Sequence, residues 1–592
     1  MKNQIAKYAS DWWISLSIGL STWVFFGVFY RHHLHYHEQL QLFLTTFDYF
    51  STETFRIGGL ANYLSRFIIQ FFYDSLVGGF LLALLLVVLQ FLLLNVAKKI
   101  ADKPTFNLLT CLPSLIFAIL LYNENALLTG LIASIIVIAV LYMYFRIGNY
   151  SCRTIYLIFW IPTLYWMTGI AYLVFFLLCL FIEWTRKERM NRNLLVCVTL
   201  LSSLLILGCP VIGKIVFNSQ YSAERFWFIG DYFRFINQYQ YTVLLFFLSV
   251  VIIPLLFKWL PDEKSKKEIR MHQCLQLVLL IIIASFGIIW VADWKKEEVM
   301  AYDYYARTKK WNNIIRMADR KSPNGPLTVA ALNLALSQKG YLPDYMFSYF
   351  QNGVEGLLPS FSKDYMISIM AGEIYYHIGL INTAQRFAFE AMESIPDHQK
   401  SVRSIKRLAE TNLINGDYAL AGKYLKILQN TLFYKNWASE TLSYLGNEEY
   451  INNHLEWGLL RQNEIKEDAL FDERGKEQIL ERLFSHNPHN HMAYEYLLAY
   501  TLLNKDLPHF FEHYTTAESK ISYKNIPKSF QEALIYIWSL NSSDQNISLP
   551  PYVNPDLLKQ LEVYRNIYTT FPNAQQMLTK DFKDTYWYYY HY

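Results

Sequence analysis

Phe80-Leu-Leu-Ala-Leu-Leu-Leu-Val-Val-Leu-Gln-Phe-Leu-Leu-Leu-Asn-Val96 is interrupted by only two polar residues, Gln90 and Asn95. A helix needs about 20 mostly apolar residues to cross the hydrocarbon core of a bilayer. With its apolar flank this run reads as a membrane span over 75–95. Eight further runs read the same way, at 12–30, 107–121, 126–145, 154–167, 169–184, 193–212, 241–259 and 273–292. Beyond them the pattern changes. Residues 293–592 carry charges throughout, whereas the chain as a whole is 53% hydrophobic and only 17% charged, against about 25% for an average soluble domain. The expected fold class is therefore all-α. A polytopic helical membrane domain of about nine spans, residues 1–292, precedes a soluble α-helical domain, residues 293–592.

The basic residues set a direction. They cluster at Lys98, Lys99 and Lys103, at Arg146 and Arg153, from Arg186 to Arg192, and from Lys258 to Arg270. Cytoplasmic loops carry an excess of Lys and Arg. A hairpin turning near Met167–Gly169 puts all four clusters on the side of Lys2 and Lys7, whereas a single span over 154–184 divides them. Pro162 and Gly169 favour the break. The expectation is an inner (plasma) membrane protein of nine spans, N-terminus cytoplasmic and C-terminal domain extracytoplasmic. Eight spans with a cytoplasmic tail is the alternative. Lys2 and Lys7 before the apolar run Trp12–Tyr30 resemble a secretory signal, but that run is long and ends in aromatics, so it reads as an uncleaved first span.

Other classes are weakly indicated. A net charge of +4, with no basic patch interleaved with aromatics, gives no reason to expect nucleic acid. All six cysteines fall in or beside the membrane half and none pairs as CxxC, so neither a disulfide framework in the soluble half nor a thiolate metal site is expected. No cofactor is indicated.

Two long outer loops result, 31–74 and 213–240. In the first, Leu60, Tyr63, Leu64, Phe67, Ile68, Phe71 and Phe72 repeat at helical spacing, opposite Asn62, Ser65, Arg66 and Gln70. Such a helix suits the membrane interface. Residues 39–50 form a less regular second candidate, separated from the first by Gly58 and Gly59. Before both stands Tyr30-Arg-His-His-Leu-His-Tyr-His-Glu38. Three readings are open: a solvated collar at headgroup level, a metal site, or a carboxylate acting as general base toward an acceptor hydroxyl. Glu38 is the best placed base, ahead of Asp48, Glu53 and Asp74. Arg225 and Arg234 in the second loop, with Arg66, are candidates to grip a phosphate or to anchor the loops to lipid headgroups.

This layout resembles the GT-C superfamily of membrane glycosyltransferases, in which a first outer loop with a carboxylate and two interfacial helices follows the first span. The resemblance covers at most residues 1–292. It implies transfer of a sugar from a polyprenyl-phosphate carrier at the outer face of the membrane, with Glu38 as base and Arg66, Arg225 and Arg234 near the carrier phosphate. Members often carry an Asp-containing acidic pair where this chain has His37-Glu38-Gln39. The chain also resembles an uncharacterised family of bacterial multi-spanning proteins, through Gly58–Phe72 and the aromatic C-terminus, and that resemblance implies no activity.

In the second half, Gly372, Tyr375, Gly379, Ala384, Ala388, Ala391 and Pro396 follow a spacing that resembles the tetratricopeptide (TPR) repeat, continued by Ala409, Asn412, Gly416, Tyr418, Ala421, Leu425 and Leu428. Weaker units centre on Trp311, Gly340 and Lys505. The steps from Gly340 to Gly379 and on to Gly416 are 39 and 37 residues, longer than the usual ~34. Stacked helix pairs imply a concave surface for a peptide or protein partner. Thr585–Tyr592, with five tyrosines and Trp587, is expected to pack back on its own domain or to dip into the outer leaflet. Two functions of different class follow: a lipid-carrier-dependent glycosyltransferase, or a non-catalytic membrane-anchored scaffold for envelope proteins. A transporter is disfavoured by the near absence of charge within the spans.

Overall fold

The computed structural model describes residues 13, 15–185, 192–216, 232, 240–262, 265–397, 399–465, 475–517, 521, 523, 525–541 and 554–592. Among them the regular structure is helical and no strand forms. The chain divides into two units. The first is residues 1–297 with 430–435, and the second is 298–429 with 436–592.

The first unit begins with α1 (Ser15–Phe29), α2 (Arg31–Gln39), α3 (Phe47–Thr54), α4 (Gly59–Ile69) and α5 (Ser75–Ile100). It continues with α6 (Leu112–Leu120), α7 (Thr129–Tyr144), α8 (Tyr150–Thr168), α9 (Tyr172–Thr185), α10 (Arg192–Val216), α11 (Gln240–Leu256) and α12 (Lys266–Phe286). Helix α5 holds the run that opened the sequence. Leu82, Leu86, Leu89 and Leu93 are buried along one stripe, while Leu76, Phe80, Leu84 and Phe91 are exposed on the other. A helix apolar on all sides with one side uncovered has a surface made for lipid. Its polar interruption is satisfied inside: the Gln90 amide accepts from Ser15 Oγ at 2.5 Å and donates to Thr110 Oγ1 at 3.1 Å.

Among the described residues four helical stretches, not nine, are long and apolar enough to cross a membrane: Ser75–Ile100, Tyr150–Thr185, Leu195–Ile215 and Lys267–Val291. The remaining runs fold as apolar helices of 10–17 residues at Ser15–Phe29, Pro104–Leu120, Thr129–Tyr144 and Tyr241–Leu256. The physical reason is reach, since at 1.5 Å per residue such helices fall short of the ~30 Å hydrocarbon core. The stretch 150–185 is one by length but reverses in space. Helix α8 ends at Thr168, and Gly169 turns the chain at φ 62° into a short 3₁₀ segment before α9. Arg153 Nη1 and Glu183 Oε1 then meet at 3.1 Å across the open end of the hairpin, where a straight helix would hold residues 30 apart about 45 Å away. Both side chains are 7% exposed, and the Tyr144 hydroxyl donates to the same Glu183 oxygen at 2.8 Å. The apolar run 169–184 therefore does contain a charge, Glu183, compensated by Arg153 from the first turn of α8.

The second outer-loop helix also differs from expectation. The stretch 39–50 does not form one helix: α2 ends at Gln39 and α3 begins only at Phe47. Thr46 is the start signal of α3, its side chain accepting from Tyr49 N–H as the N-cap.

The second unit is built from helix pairs. Its first helix is α13 (Trp294–Arg307), whose opening turn lies in the first unit. Then come α14 (Trp311–Arg320), α15 (Pro326–Gln338), α16 (Tyr365–Ile378), α17 (Ile381–Glu393), α18 (Val402–Ile414) and α19 (Tyr418–Leu428). Sequential pairs pack on one another. Of the residues read as repeat markers, Gly340, Gly379, Gly416 and Lys505 sit at helix ends with positive φ, 70°, 104°, 83° and 61°, whereas Trp311 begins a helix. At Gly379 the N–H groups of the turn reach back to the Tyr375 and Tyr376 carbonyls, the left-handed stop that glycine adopts without steric cost. Small residues bring the paired helices close. A Cβ on Gly372 of α16 would lie 3.2 Å from Phe387 Cβ of α17. Ala384, Ala388 and Ala391 are buried on the same helix.

Charge is buried here too. Arg403 of α18 donates to both oxygens of Asp303 at 2.6 and 2.9 Å and to Glu373 at 3.1 Å. Arg407, one turn on, donates to Glu373 at 2.8 Å and pairs with Glu410 at 3.0 Å. At the C-terminus the aromatic run packs within its own unit: Tyr586 and Trp587 are buried. Tyr586 N–H and the Trp587 indole bond Glu532 at 2.7 and 2.8 Å.

Candidate functional site

The segment Arg31–Gln39 is the polar element most at odds with its surroundings. Eight of its nine residues, His32 to Gln39, are buried, although His, Glu and Gln are mostly surface residues. A polar helix enclosed on all sides is costly unless each group finds partners, so its composition has a purpose other than making a core. Its position is fixed from both ends. Tyr30 closes the last turn of α1 through Tyr30 N–H to Phe25 O at 2.8 Å, and its ring stacks on Phe25. At the start of α2, the Glu297 carboxylate accepts from His32 N–H at 2.9 Å and His33 N–H at 3.0 Å. Side-chain oxygens at a helix N-terminus satisfy its orphan donors, whichever charge state the carboxyl is in.

Burial pushes the Glu297 carboxyl up to about 8, against the pull of those two N–H groups. The folded chain keeps a proton that the unfolded chain releases near pH 4.5, so stability falls as pH rises above that value and levels off beyond about 8. Hydrogen exchange of the full-length chain is expected to show peptides spanning 31–39 opening more readily at pH 8 than at pH 5. Glu297→Gln, which does not titrate, flattens that dependence. A wild-type profile with no pH component beyond intrinsic exchange contradicts the assignment.

The histidines divide by environment. Burial pushes the His33 imidazole down to about 4, so it is neutral at physiological pH. His35 Nδ1 lies 3.1 Å from the Phe72 carbonyl, which makes Nδ1 the protonated nitrogen in that contact. Among the described residues, no three of His, Cys, Asp and Glu are grouped to hold a metal ion.

Glu38 lies in the last turn of α2 and is 5% exposed. Its oxygens accept from the Tyr434 hydroxyl at 3.2 and 3.4 Å. Tyr434 belongs to the six-residue segment 430–435 of the first unit. Asn430 O takes two hydrogen bonds from Thr45, N–H at 2.8 Å and Oγ1 at 3.0 Å. Phe433 stacks on Tyr73 with centroids 4.9 Å apart and planes 9° from parallel.

The other carboxylates of the loop are engaged otherwise. Asp74 caps α5, accepting from Leu76 and Val77 N–H. Asp48 is exposed in the first turn of α3. Glu53 pairs with Arg66 at 3.0 Å and with Arg56 at 3.5 Å. That last pair follows from the tight α3–α4 connection. A Cβ on Gly59 would lie 2.3 Å from the Glu53 carbonyl oxygen, so only glycine lets the two helices fold back closely enough.

Arg66 thus has its guanidinium on Glu53, while its carbonyl accepts from Gln41 Nε2 at 2.9 Å. Arg225 and Arg234 lie outside the described residues. From the same loop, Tyr232 reaches the α8–α9 turn, where its hydroxyl donates to Thr168 O and accepts from Ala171 N–H at 3.2 Å. Helix α4 buries Ala61, Ser65 and Ile69, and Phe67 is exposed. The expected aromatic face is only partly outward: Tyr63 is half-buried against Phe43 and Phe50, and Phe72 in the next turn is buried.

Glu297 and Tyr434 were not foreseen. Tyr434 lies 396 positions from Glu38, and no periodic pattern links residues so distant. The one available signal was local, two exposed apolar residues, Leu432 and Phe433, in a short connection between helices. No curated protein and no solved structure matches the chain. A model of DUF6057, a family of unknown function, matches residues 7–592, nearly the whole chain, and the protein belongs to that family.

Proposed function

We propose that the first unit is embedded in the bacterial plasma membrane and transfers a sugar from a polyprenyl-phosphate carrier to an acceptor hydroxyl at the outer face, as GT-C glycosyltransferases do. The observation that carries this reading is Glu38. It is a buried carboxylate one short helix beyond α1, bonded to a neutral phenol, Tyr434, while Asp74 and Glu53 are engaged in a cap and an ion pair. In this reaction the acceptor O–H gives its proton to Glu38. Its oxygen bonds the anomeric carbon as the bond to the carrier phosphate breaks, and the polyprenyl phosphate leaves with that electron pair. The order of α1, the short helices α2 to α4 and then α5 supports the same reading.

In this reading Arg225 and Arg234 are the candidates to grip the carrier phosphate, and Arg66 orders the loop through Glu53. The four long stretches hold the first unit in the bilayer, with the shorter apolar helices packed among them, the N-terminus cytoplasmic and the second unit outside. The second unit acts as a TPR-like array for a peptide or protein acceptor. Its paired helices also favour a second reading, a membrane-anchored scaffold without catalysis. The deciding experiment reconstitutes the full chain in liposomes with radiolabelled polyprenyl-phosphate sugars and envelope extract. Label moving to an extract component supports the enzyme. No transfer from any carrier, with partners still captured by the second unit, supports the scaffold.

A further inference from the structure

We propose that Leu432 and Phe433 anchor segment 430–435 in the headgroup–acyl boundary of a phospholipid bilayer. The segment lies far along the chain from the apolar helices, between α19 and a helix at Lys435–Ser443, yet it belongs to the first unit. Four observations carry the inference.

Leu432 and Phe433 are 45% and 36% exposed, in a segment held firmly by the Asn430 and Tyr434 hydrogen bonds. Single exposed apolar residues are ordinary; here Phe433 joins Leu432 to a larger apolar surface through Phe71 and Tyr73. Phe433 stacks face to face on Tyr73, itself 44% exposed. Tyr73 immediately precedes Asp74, the cap of α5, whose first turns expose Leu76, Val77 and Phe80. The first residues of a long apolar helix mark where the hydrocarbon begins, and aromatic rings concentrate at that depth. Finally, Lys435 is exposed at the end of the segment, where a cation meets anionic headgroups. The segment thus repeats in miniature the composition of an interfacial element: apolar residues outward, a tyrosine turned inward, a lysine at the rim.

The inference rests on reading the first unit as membrane-embedded, and its test separates the two. Unmodified full-length protein in nanodiscs of phosphatidylcholine and phosphatidylglycerol is labelled with a phospholipid carrying a diazirine high on its acyl chain. Label on Leu432 or Phe433 as well as on the exposed residues of α5 is the expected result. Label on α5 with none on 430–435 overturns the anchor and leaves the membrane reading intact, whereas no label on α5 overturns both. A second measurement places an environment-sensitive fluorescent amino acid at Leu432. A lipid-borne nitroxide near the headgroup is expected to cut its emission roughly two-fold or more, with little loss to aqueous iodide. Quenching by iodide and not by the nitroxide also overturns the anchor.

Discussion

Glu38→Gln is expected to reduce sugar transfer in reconstituted membranes by at least ~10²-fold, the usual contribution of a general base, while the protein remains folded. The substitution is nearly isosteric. The Gln oxygen can still accept from the Tyr434 hydroxyl, which now approaches Glu38 at 3.2 Å, so the local packing has no reason to change. What is lost is the ability to take the acceptor's proton. Tyr434→Phe separates position from chemistry. It keeps the ring against Tyr73 and removes only the O–H donor, so a smaller loss and an altered pH–rate profile are expected. Full transfer by Glu38→Gln, in protein whose thermal unfolding matches wild type, removes the assignment of the base.

The parts of the molecule legible in the sequence were those written in local pattern. The apolar run of α5 is a helix, Gly169 breaks α8 from α9, and Gly379 and Gly416 end helices with a left-handed turn. The count of long helices was overestimated because hydropathy reports composition and not length. Thr129–Tyr144 is as apolar as α5 but ten residues shorter. In the sequence Arg153 reads as part of a basic loop cluster, and only the folded hairpin shows that Glu183 neutralises it. Within the candidate site, Glu38 could be singled out by its place after the first apolar helix. Its surroundings could not. Enclosure of a helix as polar as α2 requires partners from the α13 start and from 430–435, and no single-sequence periodicity encodes contacts across hundreds of residues.

The second unit makes a prediction that does not depend on catalysis. Arg403→Met is expected to destabilise the α16–α18 region by about 3–5 kcal/mol, the cost of removing one partner from a buried ion pair. Both Asp303 oxygens accept from Arg403, and Asp303 is buried, so the variant strands a carboxylate away from water. Glu373 loses one of two guanidinium partners but retains Arg407 at 2.8 Å. The pH dependence has a definite sign. Arg407, Arg403 and His377 hold the Glu373 carboxyl well below its usual range despite burial. Its contribution is therefore present above pH ~4.5 and lost as pH falls through the lower folded value. The penalty of Arg403→Met should thus be largest near neutrality and shrink in acid, where the stranded carboxylates take up protons. Hydrogen exchange of peptides within 365–428, in the full-length protein, reads this region without requiring the whole chain to unfold in one step. The double variant Asp303→Asn, Arg403→Met discriminates between loss of charge compensation and loss of packing. If the buried charge is what costs, removing both partners restores much of the stability, because a neutral amide is far cheaper to bury than an unpaired carboxylate. If the double variant is no more stable than Arg403→Met, the guanidinium matters for the volume it fills between α16 and α18, and the ionic account of this network is wrong.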